Sequence, residues 1–361
     1  VILFIGSFSL SAILTAIVRK LSSRIGFVAH PATDRYHSGV IPLGGGFAIF
    51  LTLMAFILAG TTAIKFPILP GQLSQLREFA NIDPADFLAR IRELALMSLC
   101  ALLLFLLGLW DDKKPIGPFF KLIMQFVVAI IAATLAEIRV EFFIENRFIT
   151  SALSALWIVL IINAFNFLDN MDGASAGIAA IASSILFIAA ATSGQVFVGG
   201  LALAFVGTLL GFLVFNFPPA KIFMGDAGSL VVGFFVAVLT LRTTYYHQAQ
   251  SGSWYPIFLP IIVMAVPLYD FISVTIIRIS QGKSPFVGDT QHFSHRLKNR
   301  GLTQTHTVLT LYLATLCTGL SAIFLYQVNL IGAILIFAQT FMILAIIAIL
   351  ETTSRNEKNT D

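Results

Sequence analysis

Long apolar runs separated by short polar segments organise this chain. They fall near residues 1–18, 43–64, 94–110, 119–136, 151–164, 174–192, 196–215, 229–245, 256–278, 305–327 and 329–350. A helix that crosses a bilayer needs about 20 mainly apolar residues. The runs therefore predict about eleven (10–11) transmembrane helices, the fifth being short and the last two nearly touching. The expected fold class is all-α, a polytopic integral membrane helical bundle. No internal repeat or low-complexity linker divides it. Residues 1–350 read as a single transmembrane domain and residues 351–361 as a polar tail. The mixed charges of segment 65–93 suggest an amphipathic helix lying at the membrane surface.

Composition strengthens this picture. Hydrophobic residues make up 58% of the 361 and charged residues only 11%, against roughly 25% charged in soluble domains. A protein this poor in charge cannot cover itself for water, so its main solvent is lipid. The net charge of +4 reflects the distribution of loop charges rather than affinity for nucleic acid. Cys100 and Cys317 both lie in apolar runs, where packing explains them without a disulfide or metal ligation.

Alternating the loops across eleven spans puts 15 of the 22 basic residues on one side. That side holds segments 19–42, 111–121, 165–173, 216–228, 278–304 and 351–361. Basic residues concentrate in cytoplasmic loops, so the N-terminus is expected outside and the C-terminal tail in the cytoplasm. The polar clusters fall on the same side: Asp34 to His37, Asp111-Asp112, Asn163 to Asp172, Asn216 to Ser229, and Ser284 to Arg296. Their convergence points to one site at the cytoplasmic interface.

Each cluster has a plain reading and a chemical one. Asp111 and Asp112 end the third run, where the helix dipole disfavours carboxylates. Lys113, Lys114 and water would compensate, or else a divalent cation or cationic complex. Asn163 and Asn166, and Asp169 and Asp172, each stand three apart and would share a face of a helical turn. Capping accounts for Asp172 alone, not for four such side chains in eleven residues. Asp226 is either a plain N-cap or one of the carboxylates that hold a hard cation with substrate phosphates. His292 and His295 lack a third soft ligand. Beside Arg296 and Lys298 they suit an anion, unless the loop is merely solvated. Asp270 and Arg278 flank the inner half of the ninth run, where ionisable groups are usually paired or functional. Acids, bases and an expected Mg²⁺ at a membrane interface suit phosphoryl chemistry on a lipid substrate.

These motifs, in this order, resemble the polyprenyl-phosphate N-acetylhexosamine-1-phosphate transferase superfamily (glycosyltransferase family 4). The resemblance runs from about residue 30 to 300. It is carried by Pro42-Leu43-Gly44-Gly45, Asp111-Asp112 with Lys121, the Asn166-to-Gly173 loop, and Phe223-Met224-Gly225-Asp226-Ala227-Gly228-Ser229. Ile41-Pro42-Leu43-Gly44-Gly45 and His292-Phe293-Ser294-His295-Arg296 are similar to the WecA-like branch, which uses UDP-N-acetylglucosamine. The MraY-like branch, which uses a UDP-N-acetylmuramoyl-pentapeptide, is the alternative. Asn170 stands where the family usually has Gly, and Ser294 where the WecA-like motif usually has His.

The resemblance implies transfer of a sugar 1-phosphate from a UDP-sugar to undecaprenyl phosphate, releasing UMP, at the cytoplasmic face of a bacterial inner membrane. It implies Mg²⁺, with Mn²⁺ as an alternative, and Asp226 as principal ligand. Asn216, Phe223 and Asp172 would hold the uracil. Asp111 and Asp112 would orient or deprotonate the lipid phosphate. Lys121, Asn166 and Asp169 would support the diphosphate and metal. His292, His295 and Arg296 would bind diphosphate or sugar. The partners expected are the donor, the lipid acceptor and the membrane, with a homodimer compatible. A secondary transporter is the rival class; it would carry ionisable groups near the bilayer midplane and paired repeats.

Overall fold

The structure, a computed structural model, describes residues 1–29, 39–65, 91–140, 144–243, 255–283, 296–297 and 301–352. The helices are α1 (Ile2–Ile25), α2 (Gly45–Lys65), α3 (Ile91–Lys113), α4 (Pro118–Thr134), α5 (Arg147–Leu168), α6 (Ala174–Thr192), α7 (Val196–Asn216), α8 (Asp226–Arg242), α9 (Leu259–Val263), α10 (Ala265–Ser280), α11 (Gln304–Ile323) and α12 (Leu330–Thr352). Two short strands, β1 (Val28–Ala29) and β2 (Ile41–Pro42), pair antiparallel between α1 and α2. They are the one departure from an all-helical fold among the described residues.

Every apolar run holds helix. Among the described residues eight helices are long and apolar enough to cross a membrane, or nine if one bent pair counts as a single span. The fourth and eighth runs hold helices of only 17 residues, α4 and α8. The expected eleven is thus a count of apolar helical segments. Leu330, Ile331, Leu335 and Phe341 on α12, and Ile13 and Ile17 on α1, are more than half exposed. Apolar surface on this scale needs lipid to cover it. The chain is a multi-pass membrane protein.

Two segments depart from the sequence expectation. The fifth run is not short, because α5 spans 22 residues. Asn146 caps its start by accepting from the amides of Phe148 at 3.0 Å and Ile149 at 3.3 Å. Its far end carries Asn163 and Asn166 within the helix. The ninth run is broken. Its first part, Tyr255–Val263, meets α10 at a bend of 67°. Pro267 supplies no N–H for the carbonyl of Val263 four residues back, which removes the bond that would carry the helix through.

α8 is the axis of the bundle. Every residue from Ala227 to Thr240 is buried, and α2, α3, α5 and α6 all pack on it. A helix apolar all round is a core helix, not a surface one. Small residues allow the close approach. A Cβ at Gly108 of α3 would stand 2.4 Å from the backbone carbon and oxygen of Asp226. α1 attaches differently. Its buried residues are Ser7, Ser11, Thr15 and Ser22. Ser7 and Ser11 face Gly207 and Gly211 of α7, and Ser11 Oγ donates to the Thr208 carbonyl at 2.6 Å. In lipid, apolar side chains gain little from helix contact, so small residues and hydrogen bonds form the interface.

Candidate active site

Alternation of helix direction brings the C-termini of α3, α5 and α7 and the N-termini of α2, α4, α6 and α8 to one end of the bundle. Three backbone bonds join the Pro42-to-Gly45 motif to the segment before α8. Phe223 N–H donates to the Pro42 carbonyl at 2.9 Å, Gly45 N–H to the Phe223 carbonyl at 2.9 Å, and Gly46 N–H to the Met224 carbonyl at 3.0 Å. The first amides of α2, which have no partners inside their own helix, are satisfied by this loop.

Asp112 joins α3 to α8. Its Oδ1 accepts from the backbone amide of Asp226 at 2.8 Å and its Oδ2 from that of Ala227 at 3.0 Å. A carboxylate from another helix thus caps α8. The positive end of the α8 dipole offsets the unfavourable position of Asp112 at the end of α3. Lys113 and Lys114 are exposed and do not fill that role. Gly225, at φ +70°, leaves room for the cap: a Cβ there would stand 2.6 Å from Asp112 Oδ2.

With its N-terminus capped by Asp112, α8 leaves the side chain of Asp226 for other contacts. Asp226 Oδ1 accepts from Asn166 Nδ2 at 2.9 Å, and Asn166 also donates to Ser229 Oγ at 2.8 Å. Asp226 Oδ2 pairs with the Lys121 ammonium. Lys121 Nζ also donates to Asp111 Oδ2 at 2.9 Å, while Asp111 Oδ1 accepts from the Ile116 amide at 2.7 Å. One ammonium therefore bridges two carboxylates. The side chain of Asp226 is 30% exposed against 14% for Asp111 and for Lys121, so Asp226 is the most accessible of the three. Nothing local in the sequence distinguishes Ser229 within its motif, because its contact with Asn166 depends on how α5 meets α8.

The remaining acids and amides hold the loops. Asp169 ends α5 and does not lie on a further helical turn with Asp172, because residues 169–173 form turns. Asp172 does not cap α6, whose N-cap is Gly173. Its Oδ2 accepts from the Ala220 amide at 2.9 Å. Asn216 is buried; its Oδ1 accepts from the Gly173 amide at 3.0 Å and its Nδ2 donates to the Ile222 carbonyl at 2.9 Å. Asn216 and Asp172 thus fasten the 169–173 turns to the 217–225 loop, where Phe223 is half-buried. Tyr312 of α11, not anticipated from sequence, donates its hydroxyl to the Gly173 carbonyl at 2.6 Å.

Arg296 pairs with Glu351 at 2.8 Å and donates to Ser273 Oγ at 3.0 Å. Glu351 belongs to α12, not to the tail in which the sequence places it. Arg278 stands 5.1 Å from the centre of the Phe167 ring. His292, His295, the Asp34-to-His37 cluster and most of segment 65–93 lie outside the described residues.

Among the described residues no three His, Cys, Asp or Glu side chains form a metal cage by themselves. Both oxygens of Asp112 face the backbone amides of α8, whereas Asp111 and Asp226 converge on the Lys121 ammonium. Two aspartates that converge on one cation suit a hard ion such as Mg²⁺, which takes one or two carboxylates and completes its shell with phosphates and water.

The fold and site define a multi-pass membrane protein whose acid-rich end is built to manage anions and cations. Sequence comparison carries this further. The pattern of glycosyl transferase family 4 matches residues 94–244. A Bacillus subtilis protein described as a probable undecaprenyl-phosphate N-acetylglucosaminyl 1-phosphate transferase is 32% identical over 96% of this chain and 91% of its own. A Yersinia pestis undecaprenyl-phosphate alpha-N-acetylglucosaminyl 1-phosphate transferase is 27% identical over 96% and 87%. A Mycobacterium tuberculosis decaprenyl-phosphate N-acetylglucosaminephosphotransferase is 28% identical over 83% and 76%. The chain belongs to glycosyl transferase family 4, among the WecA-like polyprenyl-phosphate N-acetylhexosamine-1-phosphate transferases.

Proposed function

We propose that this chain transfers N-acetylglucosamine 1-phosphate from UDP-N-acetylglucosamine to undecaprenyl phosphate and releases UMP. The observation that carries this reading is the Asp111–Lys121–Asp226 bridge, held in place by the Asp112 cap. The descriptions of the relatives favour the same donor group and a prenyl-phosphate acceptor. The basic bias of the loops favours a site facing the cytoplasm of a bacterial inner membrane.

The physical difficulty is that two anions must meet. An oxygen of the lipid phosphate attacks the β-phosphorus of the donor. The new P–O bond forms there, and the bond to the bridging oxygen breaks, so that UMP leaves with that oxygen. A phosphate monoester is largely dianionic at neutral pH, its second pKa being about 6, so a strong base is not required. The protein's work is to position and neutralise. Asp226, with Asp111 beside it, would hold Mg²⁺ (or Mn²⁺) together with the donor's phosphates. The bound ion supplies neutralising charge. Lys121 contributes a fixed cation, and Asn166 fixes the rotamer of Asp226. Arg296, with His292 and His295, binds the diphosphate or sugar. Phe223 stacks on the uracil. Asn216, whose amide is engaged by backbone at both ends, and Asp172 serve the base by holding the loop that receives it.

The test is UMP release by the detergent-purified chain, with undecaprenyl phosphate and Mg²⁺ each present or omitted. Release from UDP-N-acetylglucosamine that needs both supports the reading. Release only from the muramoyl-pentapeptide nucleotide moves the chain to the MraY-like reaction. No release from any UDP-sugar by folded protein overturns the transferase reading and favours transport.

A further inference from the structure

α12 is apolar from Leu330 to Leu350, without one Asp, Glu, Lys or Arg. Many of its apolar side chains are exposed, as a lipid-facing helix requires. Its inner end nevertheless carries Glu351, whose side chain is only 4% exposed. Two penalties fall on this carboxylate. It is dehydrated, and it sits in the last turn of a helix, against the negative end of the dipole.

Two groups compensate the carboxylate directly, and a third steadies one of them. Arg296 Nη2 lies 2.8 Å from Glu351 Oε2, and the Tyr269 hydroxyl donates to the same oxygen at 3.2 Å. The same guanidinium nitrogen donates to Ser273 Oγ at 3.0 Å. Tyr269 and Ser273 are four apart on α10 and share a face. α10 and α12 together grip one guanidinium. Apolar residues of similar size would hold two helices together at lower cost. What such residues would not do is fix where Arg296 points. The same helix α10 carries Phe271, whose ring lies 5.1 Å from that of Phe167, next to the Asn166 that holds Asp226. α10 therefore packs both on the Arg296 grip and on α5, the helix that carries Asn166.

We propose that Glu351, on the C-terminal helix, is a positioning residue that, with Tyr269 and Ser273, aims Arg296 at the diphosphate of the nucleotide-sugar donor. This rests on the reading of Arg296 as a donor-binding residue. The experiment measures kcat, donor KM and acceptor KM for the full-length chain, with Tm as a folding control. Arg296→Ala should raise the donor KM well above the wild-type value. Glu351→Gln should raise it about tenfold, the size of one lost charge-assisted hydrogen bond, with acceptor KM unchanged. Glu351→Asp should recover part of the loss. Arg296→Ala with Glu351→Gln should be no worse than Arg296→Ala alone. A raised donor KM in Arg296→Ala but not in Glu351→Gln overturns the inference and leaves the role of Arg296 standing. An unchanged donor KM in Arg296→Ala overturns both. Equal losses in both KM values and in Tm would mark Glu351 as a structural anchor only, which also overturns it. If Glu351→Gln does not fold, Tyr269→Phe with Ser273→Ala keeps the charge pair. It should raise the donor KM about threefold, and no change would count against the proposal.

Discussion

The two ends of α8 carry opposite charges in similar settings, and they are built for different purposes. Arg242 at the C-terminus and Asp226 at the N-terminus both complement the helix dipole. Arg242 pairs with Glu93 at the start of α3, and its carbonyl accepts from Gln195. Nearby, Trp157 Nε1 donates to Thr240 Oγ1 at 2.8 Å. There Arg242 meets Glu93, and the helices are clasped. At the other end Asp111 and Asp226 share the ammonium of Lys121, and Asp112 sits beside them on the α8 amides. Among the described residues these charges do not balance, and the most accessible of them is a carboxylate. A clasp closes its charges on one another; a site keeps some for a ligand.

Substitutions at the two ends should therefore separate. Asp226→Asn removes the excess charge while keeping the shape and a hydrogen-bonding oxygen. Turnover should fall by about a thousandfold or more, the scale of a lost electrostatic contact to the transferring group. Mg²⁺ should raise the Tm of the wild type and not that of Asp226→Asn. Near-normal turnover in this variant would make the two ends equivalent and end the comparison. Asp112→Ala removes the cap of α8. Stability should drop by about 1–2 kcal/mol, read as a Tm lower by a few degrees, with activity down about a hundredfold because Asp226 is no longer held. Asp112→Asn, with one accepting oxygen, should fall between. A full loss of activity with no change in Tm would assign Asp112 to the chemistry itself.

Gly108→Ala tests the close contact of α3 with the start of α8. A methyl 2.4 Å from the Asp226 backbone must push the helices apart, and core overpacking costs about 1–3 kcal/mol. Activity about tenfold lower, with reduced Tm, is expected. An unchanged Tm would show that the helices yield without effect. The smallest change is expected at the clasp. Glu93→Gln should leave kcat within about twofold and lower Tm by a few degrees, in line with a partly buried pair. A large loss of turnover there would show that the far end is coupled to the site.

Much of the framework is legible in the sequence because lipid imposes a simple rule. A chain in hydrocarbon must satisfy its backbone within each segment, so a long apolar run is a helix. The four motifs stand out for a similar reason. Acids and amides are costly in such a setting, and few occur there without a purpose. Asp111, Lys121, Asn166 and Asp226 can be singled out on those grounds, and the structure brings them into direct contact. The bend before α10 is less legible. Pro267 is visible in the sequence, yet prolines kink some helices and simply start others.

Other features depend on partners far away along the chain. Asp112 and Asp111 are neighbours of the same type, and nothing local tells which caps α8 and which meets Lys121. That division is made by the angle at which α3 meets α8, through Gly108. Glu351 reads as the first residue of a polar tail, because its partners Arg296 and Tyr269 lie 55 and 82 positions earlier. The sequence by itself determined the membrane setting, the helical segments and the residues able to do chemistry, since these follow from local hydropathy and residue type. Only the tertiary structure decided which carboxylate caps α8 and which two meet on Lys121, because hydrogen-bond partners are assigned by distance in space.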